Sequence, residues 1–186
     1  LRETGCLFVT SAVESIDDRV LRIFDKGHTR EDFIRVVRLF REIGLHLNPT
    51  FVTFTPWTSL EGYRALLSSL IDLELVDRVS PVQLAIRLLI PAGSRLLELP
   101  EAAQIVDGFE EEALSYTWRN EDPRVDELQR VVLDLVKRGE ARGETRRQIF
   151  ARVWRAVHVS EGMADEDVPA LPVLPSPAAI PFLTEP

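Results

Sequence analysis

The fold of this chain is decided by the stretch GCLFVTSAVES, residues 5–15. Residues 6–14 form a near-continuous apolar run rich in Val, Phe and Ala, which is typical of a strand covered on both faces. Two further strand-like runs lie at 46–55 and 82–90. Apolar residues at helical spacing fill the stretches between them, over 16–25, 30–43 and 59–73. This order, with short loops, predicts a parallel sheet with right-handed crossovers, as in half of a βα barrel.

The predicted helices begin at capping-box patterns and end at glycines, which explains why they are short and well separated. The pairs that predict the starts are Ser15 with Asp18, Thr29 with Asp32, and Thr58 with Glu61, and the predicted stops are Gly27 and Gly44.

The pattern changes after residue 94. Residues 95–120 are mixed, and we expect a short helix at 109–117. Two longer helices are predicted, one from Pro123 to about residue 138 and one over 144–157. From residue 160 onward prolines recur without helical or strand period, which indicates an extended tail. We therefore divide the chain into residues 1–94, the second half of a barrel; residues 95–159, a helical extension; and residues 160–186, a Pro-rich tail.

The composition narrows the classes of function. The formal net charge is -8, so no broad basic surface is expected for nucleic acid. The single cysteine, Cys6, is predicted to be a buried thiol, and one cysteine cannot by itself form a disulfide framework or a metal site. No segment is long and apolar enough to span a bilayer, and the first residues do not have the pattern of a signal peptide. We therefore expect a cytoplasmic protein without a membrane partner.

Each predicted strand has one apolar face and one polar or small face, because side chains alternate along a strand. The apolar faces should meet the helices, and the polar faces should converge on the lumen of the barrel. The polar candidates are Glu14, Thr53, Thr55, Gln83 and Arg87. Burying such groups without partners costs roughly 1–3 kcal/mol for each neutral group and more for a charge.

A polar lumen has two interpretations. The first is a ligand site, since Glu14, Thr55 and Arg87 lie toward the carboxyl ends of parallel strands, where α/β barrels build their sites. The second is that Glu14 and Arg87 pair with each other and only satisfy the interior. Two neighbouring residues are also open to both kinds of role: His28 to loop packing or catalysis, and Trp57 to packing over the rim or stacking on a ligand.

In order and spacing, these motifs resemble the second half of radical S-adenosylmethionine (SAM) enzymes. The run SAVES at 11–15 with KGHT at 26–29 is similar to their fourth strand and the helix and loop that follow. The stretch PTFVTFTPWT at 49–58 resembles the fifth strand, and QLAIRLLIP at 83–91 the sixth. Within that superfamily the chain resembles the CUAEP/CCAEP-tail family, also through YTW at 116–118, DPRVD at 122–126 and LTEP at 183–186.

The resemblance implies a fold, a partial radical SAM barrel containing strands four to six, and a chemistry. In such enzymes a [4Fe–4S] cluster held by a CxxxCxxC motif cleaves SAM to methionine and a 5′-deoxyadenosyl radical, which takes a hydrogen atom from the substrate. This chain has neither that motif nor the Cys-rich tail, so the cluster ligands would lie on an N-terminal half, with an electron donor and an unidentified substrate as partners. We therefore expect no metal ligand in this chain and an inactive fragment when it is alone.

The resemblance also implies roles for six residues. Glu14 and Ser15 would contact the ribose hydroxyls or the amino group of SAM, and Thr53 and Thr55 would line the cavity beside the nucleoside. Gln83 and Arg87 would orient SAM or the substrate, because an arginine can grip a carboxylate bidentately.

Two other functions fit the residues. One is a different α/β barrel enzyme that uses Glu14 as a base, which would be active in air without iron. The other is a non-catalytic interaction module whose binding element is the helices after residue 108; changes at Glu14 or Arg87 would then alter only stability.

Overall fold

The computed structural model describes residues 4–174, which form a mixed α/β structure. The strands are β1 (Phe8–Glu14), β2 (His46–Phe51), β3 (Ile90–Pro91), β4 (Val106–Glu110) and β5 (Ser115–Trp118). The helices are α1 (Asp18–Ile23), α2 (Arg30–Glu42), α3 (Leu60–Asp72), α4 (Pro100–Ala103), α5 (Pro123–Ala141) and α6 (Arg146–Ser160). Short 3-10 turns lie at Pro81–Leu84, Arg95–Glu98 and Asp165–Asp167.

The first two strands pair in parallel, as predicted. The register runs from Phe8 opposite His46 to Glu14 opposite Phe51, with an irregularity between Ala12 and Glu14. A third parallel segment follows, because Phe54 and Arg87 form a parallel bridge. The order of strand, helices, strand, helix and parallel segment confirms the α/β class. Residues 4–174 form no closed barrel, and the partial barrel of radical SAM type stays a prediction.

The third predicted strand, 82–90, is wrong over much of its length. Its first residues form the 3-10 turn Pro81–Leu84, which a proline at the first position favours. Backbone pairing is confined to two bonds, from Phe54 N to Ile86 O at 2.9 Å and from Leu88 N to Phe54 O at 2.8 Å. At the end of the run, Ile90–Pro91 pairs antiparallel with β5.

The helix predicted at 109–117 is also wrong, because these residues form the hairpin of β4 and β5. Leu114 has a φ of 50°, a left-handed conformation that a continuous helix cannot contain. The ring of Phe109 lies edge-on to that of Tyr116 across the hairpin, with ring centroids 5.1 Å apart. Cross-strand aromatic pairs of this kind stabilise a hairpin, and they outweigh the helical preference of the three glutamates at 110–112.

One predicted capping box is confirmed and two are wrong. Thr29 and Asp32 form the reciprocal box at the start of α2. At α1 the capping residue is Asp17, two residues after the predicted Ser15, and at α3 it is Ser59, one residue after the predicted Thr58. Gly44 ends α2 in a left-handed conformation as expected, with a φ of 64°, whereas α1 ends before Gly27.

A single hydrophobic core includes residues from β1 through α6, so the helices after residue 122 complete the core of the first 94 residues. Helices α5 and α6 approach closely at Gly139, where an added Cβ would lie 2.5 Å from Ile149. The segment after α6 packs against that helix and the core. Trp154 Nε1 donates to Pro169 O at 3.0 Å, and Leu171 and Leu174 contact the core. The remainder of the predicted tail, from residue 175 on, lies outside the described residues, as does the LTEP motif.

No helix among residues 4–174 combines the length and the apolar character needed to cross a membrane.

Candidate functional site

A cavity of about 580 Å³ lies at the carboxyl ends of the parallel strands. Its walls come from the end of β1, from the residues after α1, from Val52 and Leu88 beside the parallel bridge, and from the 3-10 turn at 95–98. The lining side chains combine apolar surface with charges of both signs. The charged members are Glu14, Asp25, Lys26, Arg95 and Glu98.

The backbone of Glu14, whose side chain lines this cavity, has an unusual conformation. Its φ is 68°, and Ser15 N donates to Val13 O at 2.9 Å, which closes a γ-turn around Glu14. The form of γ-turn with a positive φ is rare and strained, and a non-glycine residue there costs on the order of 1–3 kcal/mol. Val13 remains in the core while the turn directs the next side chain to the cavity. Such a cost is typical of functional sites.

The carboxylate of Glu14 has one charged partner. Lys26 Nζ lies 3.1 Å from Glu14 Oε1, and both side chains are about one quarter exposed, at 25% and 24%. Lys26 is placed by the left-handed residue Asp25, whose φ is 53° and which ends α1. The cavity thus presents an accessible carboxylate beside an ammonium group, and a polar ligand can exchange hydrogen bonds with either.

Ser15 lies on the other side of the same turn. Its hydroxyl accepts from Asp17 N at 3.0 Å and so helps Asp17 to cap α1. Ser15 lines a small adjoining cavity of about 30 Å³ that Glu14 and Thr53 also line.

Thr53 and Gln83 hold the third parallel segment against the sheet through their side chains. Gln83 Oε1 accepts from Phe51 N at 2.9 Å, taking the place that a strand carbonyl would occupy. Thr53 Oγ1 lies 3.1 Å from Gln83 O and 3.2 Å from Ile86 O. The 3-10 turn is also fixed by the buried phenol of Tyr63, which donates to Leu84 O at 2.7 Å, and burial raises the pKa of Tyr63 well above its usual value.

Thr55 is buried in the loop that follows, only 1% exposed. Its hydroxyl lies 3.0 Å from that of Thr58, and it accepts from Trp57 N at 3.3 Å. The amide of Asn120 closes this loop by donating to the carbonyls of Thr55, Pro56 and Thr58. The ring of Trp57 packs edge-on against Phe24 at 6.3 Å between centroids, which supports the interpretation of packing over the rim.

Arg87 lies away from Glu14, and the pair considered from the sequence is wrong. Its guanidinium donates to Asp126 Oδ1 at 2.6 Å and to Trp118 O, and it stacks 3.5 Å above the Trp118 ring. Asp126 Oδ2 in turn accepts from Asn120 N at 3.0 Å. Arg87 therefore ties the third parallel segment to β5 and α5.

The structure thus brings Glu14, Ser15 and Thr53 together around the small cavity. Thr53 is also hydrogen-bonded to Gln83, whereas Thr55 and Arg87 belong to a second network that Asn120 and Asp126 connect. The predicted polar lumen is wrong in one respect: the apolar Val52 and Leu88 face the large cavity, whereas their polar neighbours Thr53 and Arg87 do not line it. Strict alternation fails because β2 ends at Phe51 and the chain beyond it forms loops.

Two contributors to the site were missed from the sequence. The first is Lys26, which the KGHT motif contains but which periodicity could not orient. The second is the turn at 95–98, whose sequence RLLE carries no signal for a site. His28, in the same motif as Lys26, has its ring nitrogens 3.2 and 3.3 Å from Lys26 O and Val13 O, a packing role.

The donors available for a metal are few. Residues 4–174 contain no group of three His, Cys, Asp or Glu side chains that could hold a metal ion. Cys6 is half-buried rather than fully buried, and its thiol donates weakly to Phe8 O at 3.4 Å.

Comparison of the chain with protein-family models, with curated proteins and with solved structures found no match.

Proposed function

We propose that this chain is the SAM-facing part of a radical SAM enzyme, and that the cavity beside Glu14 binds the nucleoside end of SAM. The observation that carries the proposal is the strained γ-turn that delivers the Glu14 carboxylate into a cavity of about 580 Å³. Its position at the carboxyl ends of parallel strands is where α/β proteins bind small ligands. The motif order described above supplies the identity of the ligand.

The residues present fit such a ligand. Glu14 can accept from ribose hydroxyls or from an ammonium group, and Lys26 can donate to a carboxylate. Val52, Leu88 and Phe24 offer apolar surface to an adenine ring. When bound to a [4Fe–4S] cluster, SAM supplies the radical chemistry, and the cluster ligands in this proposal lie outside the described residues.

The roles of the other candidates follow from their contacts. Ser15 supports Glu14 through the cap of α1, while Thr53, Gln83 and Arg87 hold the third parallel segment, which carries Leu88 into the cavity wall. Thr55 holds the loop behind them. In this proposal these five are positioning residues, and Glu14 is the one of the six predicted residues that contacts the ligand.

The proposal is tested on the complete reading frame that contains this chain. The protein is expressed anaerobically and reconstituted with iron and sulfide, and the EPR spectrum of the reduced protein is recorded with and without SAM. We expect a [4Fe–4S] signal that changes on addition of SAM. We expect Glu14→Gln to weaken SAM binding by about tenfold to a hundredfold, because a hydrogen bond to a charged group contributes about 1.5–3 kcal/mol. Glu42→Gln, an exposed change at the end of α2, is the matched control.

Other outcomes would identify the alternatives. Activity in air without iron that is lost in Glu14→Gln would favour a barrel enzyme with Glu14 as its base. Variants of Glu14 and Arg87 that change stability alone would favour an interaction module. The absence of both a cluster and an upstream CxxxCxxC motif would refute the proposal.

A further inference from the structure

A second cavity, of about 260 Å³, lies at the opposite end of the parallel strands from Glu14. Its lining includes His46, the first residue of β2, whereas Glu14 pairs with Phe51, the last. Much of the wall is apolar and comes from α2, β2 and the segment after α3. The residues of this wall include Val37, Phe40, Leu47 and Leu75.

Arg78 lines this cavity, and its guanidinium has no hydrogen-bond or ion-pair partner among residues 4–174. Its Nη1 is shut off from solvent with no acceptor. The neighbouring carboxylate of Asp77 is held instead by Arg147, through contacts of 2.6, 2.9 and 3.1 Å. The attraction of Asp77 raises the pKa of Arg78, but burial lowers it by more, so the charge of this half-buried guanidinium is only partly compensated. An anion that hydrogen-bonds to the guanidinium would offset the remaining cost of burial.

The other charged residues that line this cavity do not supply a carboxylate for Arg78. The side chain of Arg41 donates to Leu73 O at 2.8 Å and lies 3.5 Å from Glu74 Oε1, so the carboxylate of Glu74 already has a cation. Burial lowers the pKa of His46, and the positive charge of Arg78 lowers it further, so His46 and Arg78 lie close enough to repel. The cavity therefore has excess positive charge above an apolar floor.

We propose that this cavity is a binding site for a small organic carboxylate with an apolar body, whose carboxylate pairs with Arg78 beside His46. A guanidinium matches a carboxylate bidentately, and the apolar wall receives the rest of the ligand. An inorganic dianion such as phosphate fits less well, because desolvating its charge against the apolar wall is costly and nothing fills the remaining space. The volume is near the lower end for ligand sites, about 300–1,000 Å³, which limits the ligand to a small molecule.

The test uses benzoate as the probe and the imidazole of His46 as the reporter. The chain contains three histidines, and His46→Gln assigns the His46 signal in NMR spectra. Benzoate, the neutral analogue benzamide and inorganic phosphate are each titrated at constant ionic strength. The variant is Arg78→Met, which keeps the length of the side chain and removes its charge. The control is Arg38→Met, which removes the charge of an exposed arginine on α2.

We expect benzoate to bind saturably and to raise the pKa of His46, because a negative charge beside the imidazole favours its protonated form. Benzamide and phosphate should bind about tenfold more weakly or worse, and Arg78→Met should weaken benzoate by a similar factor while Arg38→Met does not. A His46 titration that benzoate leaves unchanged, or phosphate binding as tight as that of benzoate, overturns the proposal. If Arg78→Met does not fold, the comparison of benzoate with benzamide on the unaltered chain decides it.

Discussion

The strain at Glu14 can be measured by comparing two substitutions at that position. Glu14→Ala and Glu14→Gly both remove the carboxylate, so both lose the ion pair with Lys26, a contribution of about 0.2–1 kcal/mol for a pair with this exposure. They differ only in what they do to the backbone, whose φ is 68°. The difference in their free energies of unfolding therefore reports the strain.

The expected magnitude follows from two opposing terms. A left-handed conformation costs a residue with a Cβ roughly 1–2 kcal/mol, and glycine avoids that cost. Glycine also has greater freedom in the unfolded chain, which costs about 0.5–1 kcal/mol on folding. We expect Glu14→Gly to be more stable than Glu14→Ala by about 0.5–1 kcal/mol, the reverse of the order at an ordinary position.

Urea unfolding at pH 7 measures the difference. With a slope of about 2 kcal/mol/M, the midpoint of Glu14→Gly should lie about 0.3–0.5 M above that of Glu14→Ala. Glu127 provides the matched control, since it is an exposed glutamate in α5 with an ion pair to Arg130 at 2.7 Å. At Glu127 the alanine variant should be the more stable by about 1 kcal/mol. Equal midpoints at Glu14, or a higher midpoint for alanine there, would refute the strain argument and weaken the functional role drawn from it.

Three other changes test contacts elsewhere. Arg87→Lys should lower the free energy of unfolding, measured in urea, by about 2 kcal/mol, because lysine keeps the charge but loses the stacking on Trp118 and the guanidinium hydrogen bond to Asp126. An unchanged free energy of unfolding would show that this network does not stabilise the fold. Gly139→Ala should lower the thermal midpoint although alanine favours helix, because the added Cβ meets Ile149, whereas Glu140→Ala next to it should not. Burial and the charge of Arg78 lower the pKa of His46 below 6.5, so His46 contributes stability above that pH that is lost as the pH falls. Arg78→Met should make the decline of stability below about pH 6.5 shallower, and an unchanged pH profile would contradict the repulsion between His46 and Arg78.

Local sequence was sufficient for much of the secondary structure. The parallel pairing of β1 with β2 follows from two apolar runs joined by a helical crossover, because only a long crossover can return the chain parallel to itself. The predicted burial of β1 on both faces is wrong, since Val13 is its one buried residue. The capping box of Thr29 and Asp32 and the stop at Gly44 were read correctly, since each depends on residues within one turn of the helix. The sequence wrongly predicts a helix at 109–117 in place of the hairpin at 106–118, because the stability of a hairpin comes from pairing across strands, which helical propensity does not measure.

For the candidate site, the sequence predicts Glu14 at the carboxyl end of a parallel strand, where it lines the cavity, and tertiary contacts decide the other lining residues. The regular strand β2 ends at Phe51, so the alternation on which the prediction of faces depends does not extend to Val52 and Leu88, which line the cavity in place of the polar residues beside them. Gln83 and Arg87 are polar for a different reason from the one predicted, because each completes a hydrogen-bond network between elements distant in sequence. The order of elements is a property of short stretches of sequence, whereas tertiary packing decides the partner of a polar side chain. Packing alone brings Lys26 to Glu14 and Asp126 to Arg87, and it leaves Arg78 Nη1 buried without an acceptor.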